Sequence, residues 1–239
     1  MNLKEVIKTI KEQYSGHEDF DQIVSDLGDN EFLQPWADRL CSEDFNQNRA
    51  LAKELYKLAI EMDDEVFNLS DIAGSLADEH LMNDKEWATT LIQQTLEKED
   101  LNFDDLLNLG LTTAFRIKNK EWAKEIFKKA EHLADNSEEY RYLADVIIDP
   151  DYLSDKEWAS DVYKVAIDKA NEDADQVRLI TYSIVKKVEN KEWAKKTYQI
   201  ALDICVDDYE RRDVVIDING VLEDCEWAEE LCSEFNISL

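Results

Sequence analysis

The residue types most often used in catalysis are few and scattered in this 239-residue chain. Three histidines, His17, His80 and His132, lie singly near expected helix ends, where a capping or solvated role is the more common one. Hydrolytic and transfer chemistry needs a nucleophile beside a base, paired carboxylates in a pocket, or metal ligands at a regular spacing. None of these patterns stands out, and there is no phosphate-binding glycine loop or dinucleotide fingerprint. We therefore expect a protein without catalytic residues, without a cofactor and without enzyme activity.

One stretch mimics part of a calcium-binding loop through Asp217, Asn219, Gly220 and Glu226. Its first ligand position would be Val215, which has no side-chain oxygen, and Asp224 fits a helix start instead. The four cysteines lack CxxC spacing and lie in apolar helical patterns, at Cys41, Cys205, Cys225 and Cys232. We expect reduced structural thiols and no metal site.

The charge of the chain limits its partners. Its 56 acidic and 27 basic residues give a formal charge of −29. Binding to nucleic acid or to an anionic membrane depends on lysine and arginine, so we expect neither, and a protein or peptide partner should be basic. The sequence contains no run of 18 apolar residues and opens on an amphipathic helix pattern, so we expect a cytoplasmic protein.

Helices must position whatever surface this protein uses. Five glycines and two prolines are too few for an all-β fold, which needs frequent turns. A motif of the form Asp/Asn-x-Glu-Trp-Ala occurs five times, 34 to 36 residues apart, and ends at Ala88, Ala123, Ala159, Ala194 and Ala228. A weaker copy, Asn48 to Ala52, has Leu51 in place of tryptophan. A fixed period of this length indicates stacked supersecondary units.

Each motif predicts the start of a helix, which we name helix B. Its first residue suits an N-cap, and the glutamate complements the helix dipole. Small and aromatic residues then continue at helical spacing, as in Ala159, Tyr163 and Ala166. We interpret the five repeated tryptophans as buried contacts between repeats, with a ligand-stacking ladder as the alternative.

A second helix, helix A, precedes each helix B. Its pattern is clearest in Leu69, Ile72, Ala73 and Leu76, and less regular in Val177, Leu179 and Ile180. Trp36 belongs to the first of these A helices. The chain therefore predicts an all-α fold, an α-solenoid of about seven helix-turn-helix repeats. We assign residues 1–239 to one repeat domain, with a capping hairpin at 1–30 and six repeats of about 35 residues at 31–235.

The combined A and B pattern resembles the tetratricopeptide repeat over roughly residues 31–235. It departs from that family because tryptophan lies in helix B, proline is missing from the joint, and Ile180 and Val215 replace a small residue. The chain is thus similar to a divergent member. The resemblance implies a right-handed superhelix whose A helices line a groove that holds a peptide or a partner protein.

Acidic residues concentrate where a B helix leads into the next A helix. We name these segments the BA joints, each including the first turn of its A helix. Their acids are candidate partner-binding residues: Asp63, Asp64, Glu99, Asp100, Asp104, Asp105, Glu138, Glu139, Asp173, Asp175, Asp207 and Asp208. On the A helices we add Arg141, Arg178 and Tyr182. Alternatively, the acids serve only solubility.

Two functions of different classes follow. The first is a non-enzymatic scaffold or adaptor that binds a basic protein or peptide, as a monomer. The second is an acidic inhibitor, immunity protein or DNA mimic that blocks a nuclease or DNA-binding protein. Salt should separate them, because a mimic's binding weakens steeply as ionic strength rises. An enzyme with an unrecognised carboxylate pair is a third class, which would require turnover that depends on a single acid.

Overall fold

A computed structural model describes residues 1–27 and 30–238 of the chain. Within these residues there are fourteen α-helices and no β-strand, so the predicted all-α class is confirmed. The predicted boundary of the N-terminal hairpin, at residue 30, adjoins residues 28 and 29, which lie outside the described residues. The chain divides into two compact units, Met1–Ile126 and Phe127–Leu239, named unit 1 and unit 2 here.

Unit 1 contains the first seven helices and the start of the eighth. They are α1 (Leu3–Tyr14), α2 (Phe20–Asp26), α3 (Leu33–Leu40), α4 (Arg49–Met62), α5 (Val66–Ala77), α6 (Lys85–Thr95), α7 (Phe103–Thr112) and α8 (Lys120–Leu133). A π-helical turn, Thr113–Ile117, extends α7, and short 3₁₀ turns occur at Asn30–Phe32 and Glu43–Phe45. Two A helices of this unit pack against the B helices that follow them, α3 on α4 and α5 on α6.

Unit 2 contains the end of α8 and six further helices. They are α9 (Ser137–Ile148), α10 (Lys156–Ala170), α11 (Ala174–Ser183), α12 (Lys191–Ile204), α13 (Asp208–Gly220) and α14 (Cys225–Phe235). A second π-helical turn, Ile184–Val188, extends α11. The hairpins α9–α10, α11–α12 and α13–α14 repeat the pairing found in unit 1, and α11 also contacts α9 and α13.

The B helices begin where the motif predicts. In all six, the side chain of the N-cap residue accepts the backbone N–H three residues later, at 3.0 to 3.2 Å; the caps are Asn48, Asp84, Asn119, Asp155, Asn190 and Asp224. The alanine that follows each tryptophan, and Ala52 in the weaker copy, is fully buried. A methyl group at this position leaves no side chain to separate the packed helices, which explains why the motif ends in alanine.

The A-helix core follows the predicted pattern with one exception. Leu69, Ile72, Ala73 and Leu76 are all buried in α5. In α11, however, Leu179 is 41% exposed, so its assignment to the core is wrong. The core of this helix uses Val177 and Ile180, which lie three residues apart, and Leu179 falls on the opposite side of the helix.

The repeated tryptophans are less buried than predicted. All five side chains, Trp87, Trp122, Trp158, Trp193 and Trp227, are only partly buried. Trp158, for example, donates its indole N–H to Glu131 at 3.0 Å. The fully buried tryptophan is Trp36 of α3, with 5% of its surface exposed. The motif tryptophans are therefore contacts between helices, as Trp87 packing edge-on against the Tyr56 ring shows, but they are less buried than a core position.

A left-handed residue precedes every N-cap of a B helix. The backbone φ at these positions lies between 51° and 64°, and the residues are Gln47, Asn83, Lys118, Ser154, Glu189 and Glu223. This region suits glycine, because a Cβ atom there crowds the following carbonyl oxygen. The hairpin geometry thus requires a left-handed conformation at a position where the sequence has no glycine.

Replacing Glu189 with glycine is expected to stabilise the protein. The residue has φ 58° and ψ 36° and ends the π-helical turn through its N–H to the Ile184 carbonyl at 2.9 Å. Removing Cβ should raise the free energy of unfolding by about 0.5–1 kcal/mol after the entropic cost of glycine. Chemical denaturation would measure it. The control, Glu189→Ala, also removes the charge but keeps Cβ; an equal gain in both variants would show that charge is the cause.

Candidate functional site

The BA joints lie side by side within each unit. In unit 1 the Lys98 ammonium, after α6, donates to the Asp64 carbonyl oxygen, before α5. In unit 2 Lys169, at the end of α10, donates to the carbonyl of Asp135 at 3.3 Å, before α9. Both lysines therefore bridge one joint to the next. The predicted acids of neighbouring joints are brought together by this arrangement, separately in each unit.

About half of the predicted acids accept hydrogen bonds that stabilise the starts of helices. Asp63 accepts the Glu65 N–H and the Asn68 side chain, both at 2.9 Å. Asp105 forms a capping box with Asn102. The other capping acids are Glu139, which accepts the Asp135 N–H, and the N-caps Asp173 and Asp207. A hydrogen bond at a helix start stabilises the fold by about 1 kcal/mol, so these acids are explained without a partner.

The other acids are exposed and have fewer contacts. Of the twelve predicted acids, all of which are described, those whose carboxylates have no hydrogen bond or ion pair are Asp64, Glu99, Asp100, Asp104 and Glu138. Asp175 and Asp208 pair with arginines on their own helices, at 3.3 and 3.1 Å. Four of the five free carboxylates belong to the two BA joints of unit 1. We name Asp64, Glu99, Asp100 and Asp104 the free acid set.

Lysines near the starts of B helices are balanced by nearby acids. Lys191 pairs with Glu223 at 3.1 Å and Lys195 with Asp224 at 2.8 Å in unit 2. This bond to Lys195 lowers the pKa of Asp224, whose carboxylate also caps α14. Charge is therefore compensated locally at these helix starts, whereas no lysine or arginine forms an ion pair with the free acid set, although the Lys98 ammonium bonds to the Asp64 carbonyl oxygen.

The predicted A-helix residues differ in how free they are. Arg178 donates to Asp217 at 3.0 Å and pairs with Asp175 at 3.3 Å. Arg141 pairs with Asp145 at 3.3 Å. Both guanidinium groups are thus held within unit 2, while Tyr182 is 48% exposed. Of these three candidates, Tyr182 presents the most surface to a partner.

A buried tyrosine–aspartate pair joins two of the hairpins internally. Tyr163 of α10 donates to Asp145 of α9 at 2.5 Å, and Tyr56 of α4 donates in the same way to Asp38 of α3. Burial raises the pKa of Asp38, and the nearby charges of Asp78 and Asp71 raise it further, although the hydroxyl of Tyr56 opposes this. Sequence reasoning missed these pairs, whose signal is an aspartate 18 residues before the helix-B tyrosine.

Tyr198 lacks such a partner. It occupies the same position in α12, but the residue 18 positions earlier is Ile180. Its hydroxyl is buried and has no hydrogen bond among the described residues. A buried donor without an acceptor is rare in proteins. The Tyr198 hydroxyl is such a donor, on a helix that packs against α11 and α13.

The A helices of unit 2 expose large apolar side chains. They are Tyr142 (52% exposed), Leu179 (41%), Tyr182 (48%), Tyr209 (80%) and Ile216 (44%). Only Tyr182 was predicted to meet a partner. The sequence signal that was missed is position: Tyr142 and Leu179 each directly precede the buried leucine or isoleucine of their helix.

Comparison with known proteins gives no family. No family model matches the chain, and the search of curated proteins finds no significant match. In residues 1–27 and 30–238, no group of three His, Cys, Asp or Glu side chains is placed to hold a metal ion. No helix within the same ranges has the length and apolar character needed to cross a membrane. The function must therefore be argued from the surface itself.

Proposed function

We propose that this protein is a non-enzymatic interaction protein that binds a basic protein or peptide. The hairpins would stack as an α-solenoid of the tetratricopeptide type. The pairing of an A helix with the next B helix in five hairpins, two in unit 1 and three in unit 2, supports this stacking. The observation that carries the proposal is the free acid set, four exposed carboxylates on adjacent joints that form no ion pair, since the Lys98 ammonium bonds to the Asp64 carbonyl oxygen instead.

The charge has a physical use in binding. An intramolecular ion pair would neutralise these carboxylates, whereas exposed and unpaired carboxylates attract a basic surface and select against an acidic one. A local concentration of one sign also raises the rate of encounter. The capping acids contribute to the same potential but cannot be removed without loss of helix stability. The free acid set is therefore the part of the joints that can be tested cleanly.

Neutralising the free acid set is expected to weaken binding of a basic peptide by about tenfold, at roughly 0.2–1 kcal/mol for each exposed charge pair. The variant is Asp64→Asn, Glu99→Gln, Asp100→Asn and Asp104→Asn. The probe is a 16-residue peptide of alternating lysine and serine, measured by fluorescence anisotropy at low salt. Helical circular dichroism should be unchanged, because these carboxylates make no hydrogen bonds.

A control variant carries the same change in net charge elsewhere in unit 1. It neutralises four exposed acids outside the BA joints whose carboxylates, like those of the free acid set, have no hydrogen bond or ion pair: Glu18, Asp21, Glu43 and Asp44. We expect a much smaller loss of affinity for this control. Equal weakening by both variants would mean that only total charge matters, and the acids of the joints would then serve solubility.

A second candidate, an inhibitor that mimics nucleic acid, is favoured by the formal charge of −29. It predicts that the protein slows cleavage of duplex DNA by a basic nuclease. The inhibition should disappear between about 50 and 200 mM salt, because binding would depend on many charges. A nuclease whose rate stays unchanged at low salt would argue against this candidate and leave the first.

A further inference from the structure

Three A helices of unit 2 form one continuous face. The Ser137 hydroxyl of α9 donates to Gln176 of α11 at 3.3 Å. Arg178 of α11 donates to Asp217 of α13 at 3.0 Å. These bonds join the helices side by side in the order α9, α11, α13. We name the surface that bears Tyr142, Leu179, Tyr182, Tyr209 and Ile216 the α9–α11–α13 face.

The apolar residues of this face occupy related positions. Tyr142 and Leu179 precede the buried Leu143 and Ile180, while Tyr182 and Ile216 follow the buried Thr181 and Val215. The same side of each helix is therefore directed to solvent. Single exposed apolar residues are ordinary, but a group on adjacent helices is typical of a protein interaction site. Tyrosine is also enriched among the residues that contribute most to binding.

Most of the charges within the face are paired, and the exposed Arg212 and Asp213 of α13 have opposite charges. Arg178 is held by Asp175 and Asp217, and Arg141 is held by Asp145. The cations near the C-terminal ends of the helices are Lys186, which lies 5.9 Å from the Tyr182 ring centroid, and Lys187, which pairs with Asp145 at 3.4 Å. The centre of the face is thus apolar and close to neutral.

The rim along the N-terminal ends of these helices is acidic. It contains Glu138, Glu139, Asp173, Asp175, Asp207 and Asp208. Lys169 and Arg211 are the basic side chains bonded to backbone or carboxylate oxygens there. A neutral apolar centre beside an acidic rim is complementary to a segment that is apolar on one side and basic at its border.

Two unpartnered donors lie in the floor of the face. One is the Tyr198 hydroxyl, which is fully buried; burial and the nearby charge of Asp217 raise its pKa. The other is the Nε–H of Arg141, also buried and without an acceptor. Native proteins pair almost all such groups, but both atoms have almost no solvent-accessible surface, so they lie beneath the face and do not contact a partner.

We propose that the α9–α11–α13 face binds an amphipathic, basic segment of a partner protein. Its apolar side covers Tyr142, Leu179, Tyr182 and Ile216, and its lysines or arginines meet the acidic rim. This inference rests on the proposed interaction function and names the surface of unit 2 that contacts the partner.

The test compares three peptides on the full-length chain. The first is an 18-residue helix with leucine on one side and lysine on the other. The second replaces each lysine with glutamate, and the third replaces each leucine with serine. We expect the leucine–lysine peptide to bind at least tenfold more tightly than either of the others, because it alone matches both the apolar centre and the rim.

Variants then locate the contact. Leu179→Ser with Tyr182→Ser should weaken the leucine–lysine peptide at least tenfold, and Tyr209→Ser should weaken it by a smaller factor. Tyr209 is 80% exposed, so its replacement cannot disturb the core. The matched control is Ile200→Ser, because Ile200 is 42% exposed on the B helix α12 in the same unit. Its affinity should equal that of the unmodified protein.

The outcomes separate this inference from the proposed function. Suppose that the leucine–lysine peptide binds and that neutralising the free acid set lowers its affinity. If Leu179→Ser/Tyr182→Ser and Tyr209→Ser leave that affinity unchanged, the face is assigned wrongly and the interaction function stands. Equal affinity for the leucine–lysine and serine–lysine peptides also overturns the face. If neither lysine peptide binds, the proposed function itself fails.

Discussion

Replacing Trp36 with alanine is expected to lower the free energy of unfolding by about 3–5 kcal/mol, the usual cost of emptying a large buried aromatic site. The side chain is 5% exposed and donates its indole N–H to Asp26 of α2 at 3.0 Å. The Arg39 guanidinium lies 5.0 Å from its ring centroid and Phe45 packs edge-on at 6.2 Å. Alanine makes none of these contacts and leaves a cavity where the indole was.

The comparison is Trp87→Ala, also in unit 1. Trp87 is partly exposed and contacts the Tyr56 ring at 6.3 Å between centroids and the Lys53 ammonium at 5.1 Å. We expect about half the loss, because water already reaches part of the indole. Guanidinium denaturation followed by circular dichroism would measure both. A larger loss for Trp87 than for Trp36 would restore the motif tryptophans as the main core.

Tyr163→Phe is expected to cost about 1–3 kcal/mol, since it leaves Asp145 without a hydrogen bond that burial makes valuable. The fully buried hydroxyl donates to this carboxylate at 2.5 Å. Asp145 keeps its ion pairs with Arg141 and Lys187, at 3.3 and 3.4 Å, so we expect the unit to remain folded. The loss should be visible as a lower denaturation midpoint at an unchanged slope.

Tyr198→Phe is the matched control for this prediction. The ring is fully buried like that of Tyr163, but its hydroxyl has no partner. Removing an unpaired buried hydroxyl relieves its desolvation cost, so stability should be unchanged or should rise. A loss as large as that of Tyr163→Phe would show that the Tyr198 hydroxyl donates a hydrogen bond in solution, with Asp217, whose charge raises the pKa of Tyr198, as the candidate acceptor.

Local interactions made part of the fold readable from the sequence. An N-cap needs one side chain and a backbone N–H three residues away, so Asp84 or Asn190 predicts a helix start by itself. Helical spacing likewise identifies Ala159, Tyr163 and Ala166 as core, because all three fall on one side of the same helix. The six-fold repetition made these patterns unmistakable.

The sequence predicts where the acids of the BA joints lie but not which of them are free. Their number and position follow from the sequence, but a carboxylate that caps a helix and a free one look alike there. Asp63 and Asp64 are neighbours, yet Asp63 bonds to Glu65 and Asn68 while Asp64 has a free carboxylate. The path of the backbone at the joint decides which of the two carboxylates meets a backbone N–H, and the helices on either side set that path.

Sequence alone determined the helices, their order and the chain's excess of negative charge, because capping, periodicity and composition act within one segment. Tertiary structure decided which tryptophan is buried, which tyrosine finds an aspartate and which apolar residues face solvent. Leu179 shows the reason. Its type favours the core, but the neighbouring hairpins cover the side of α11 that carries Val177 and Ile180, and Leu179 is left on the surface. Burial depends on the partners that packing brings to a residue, and those partners are distant in the chain.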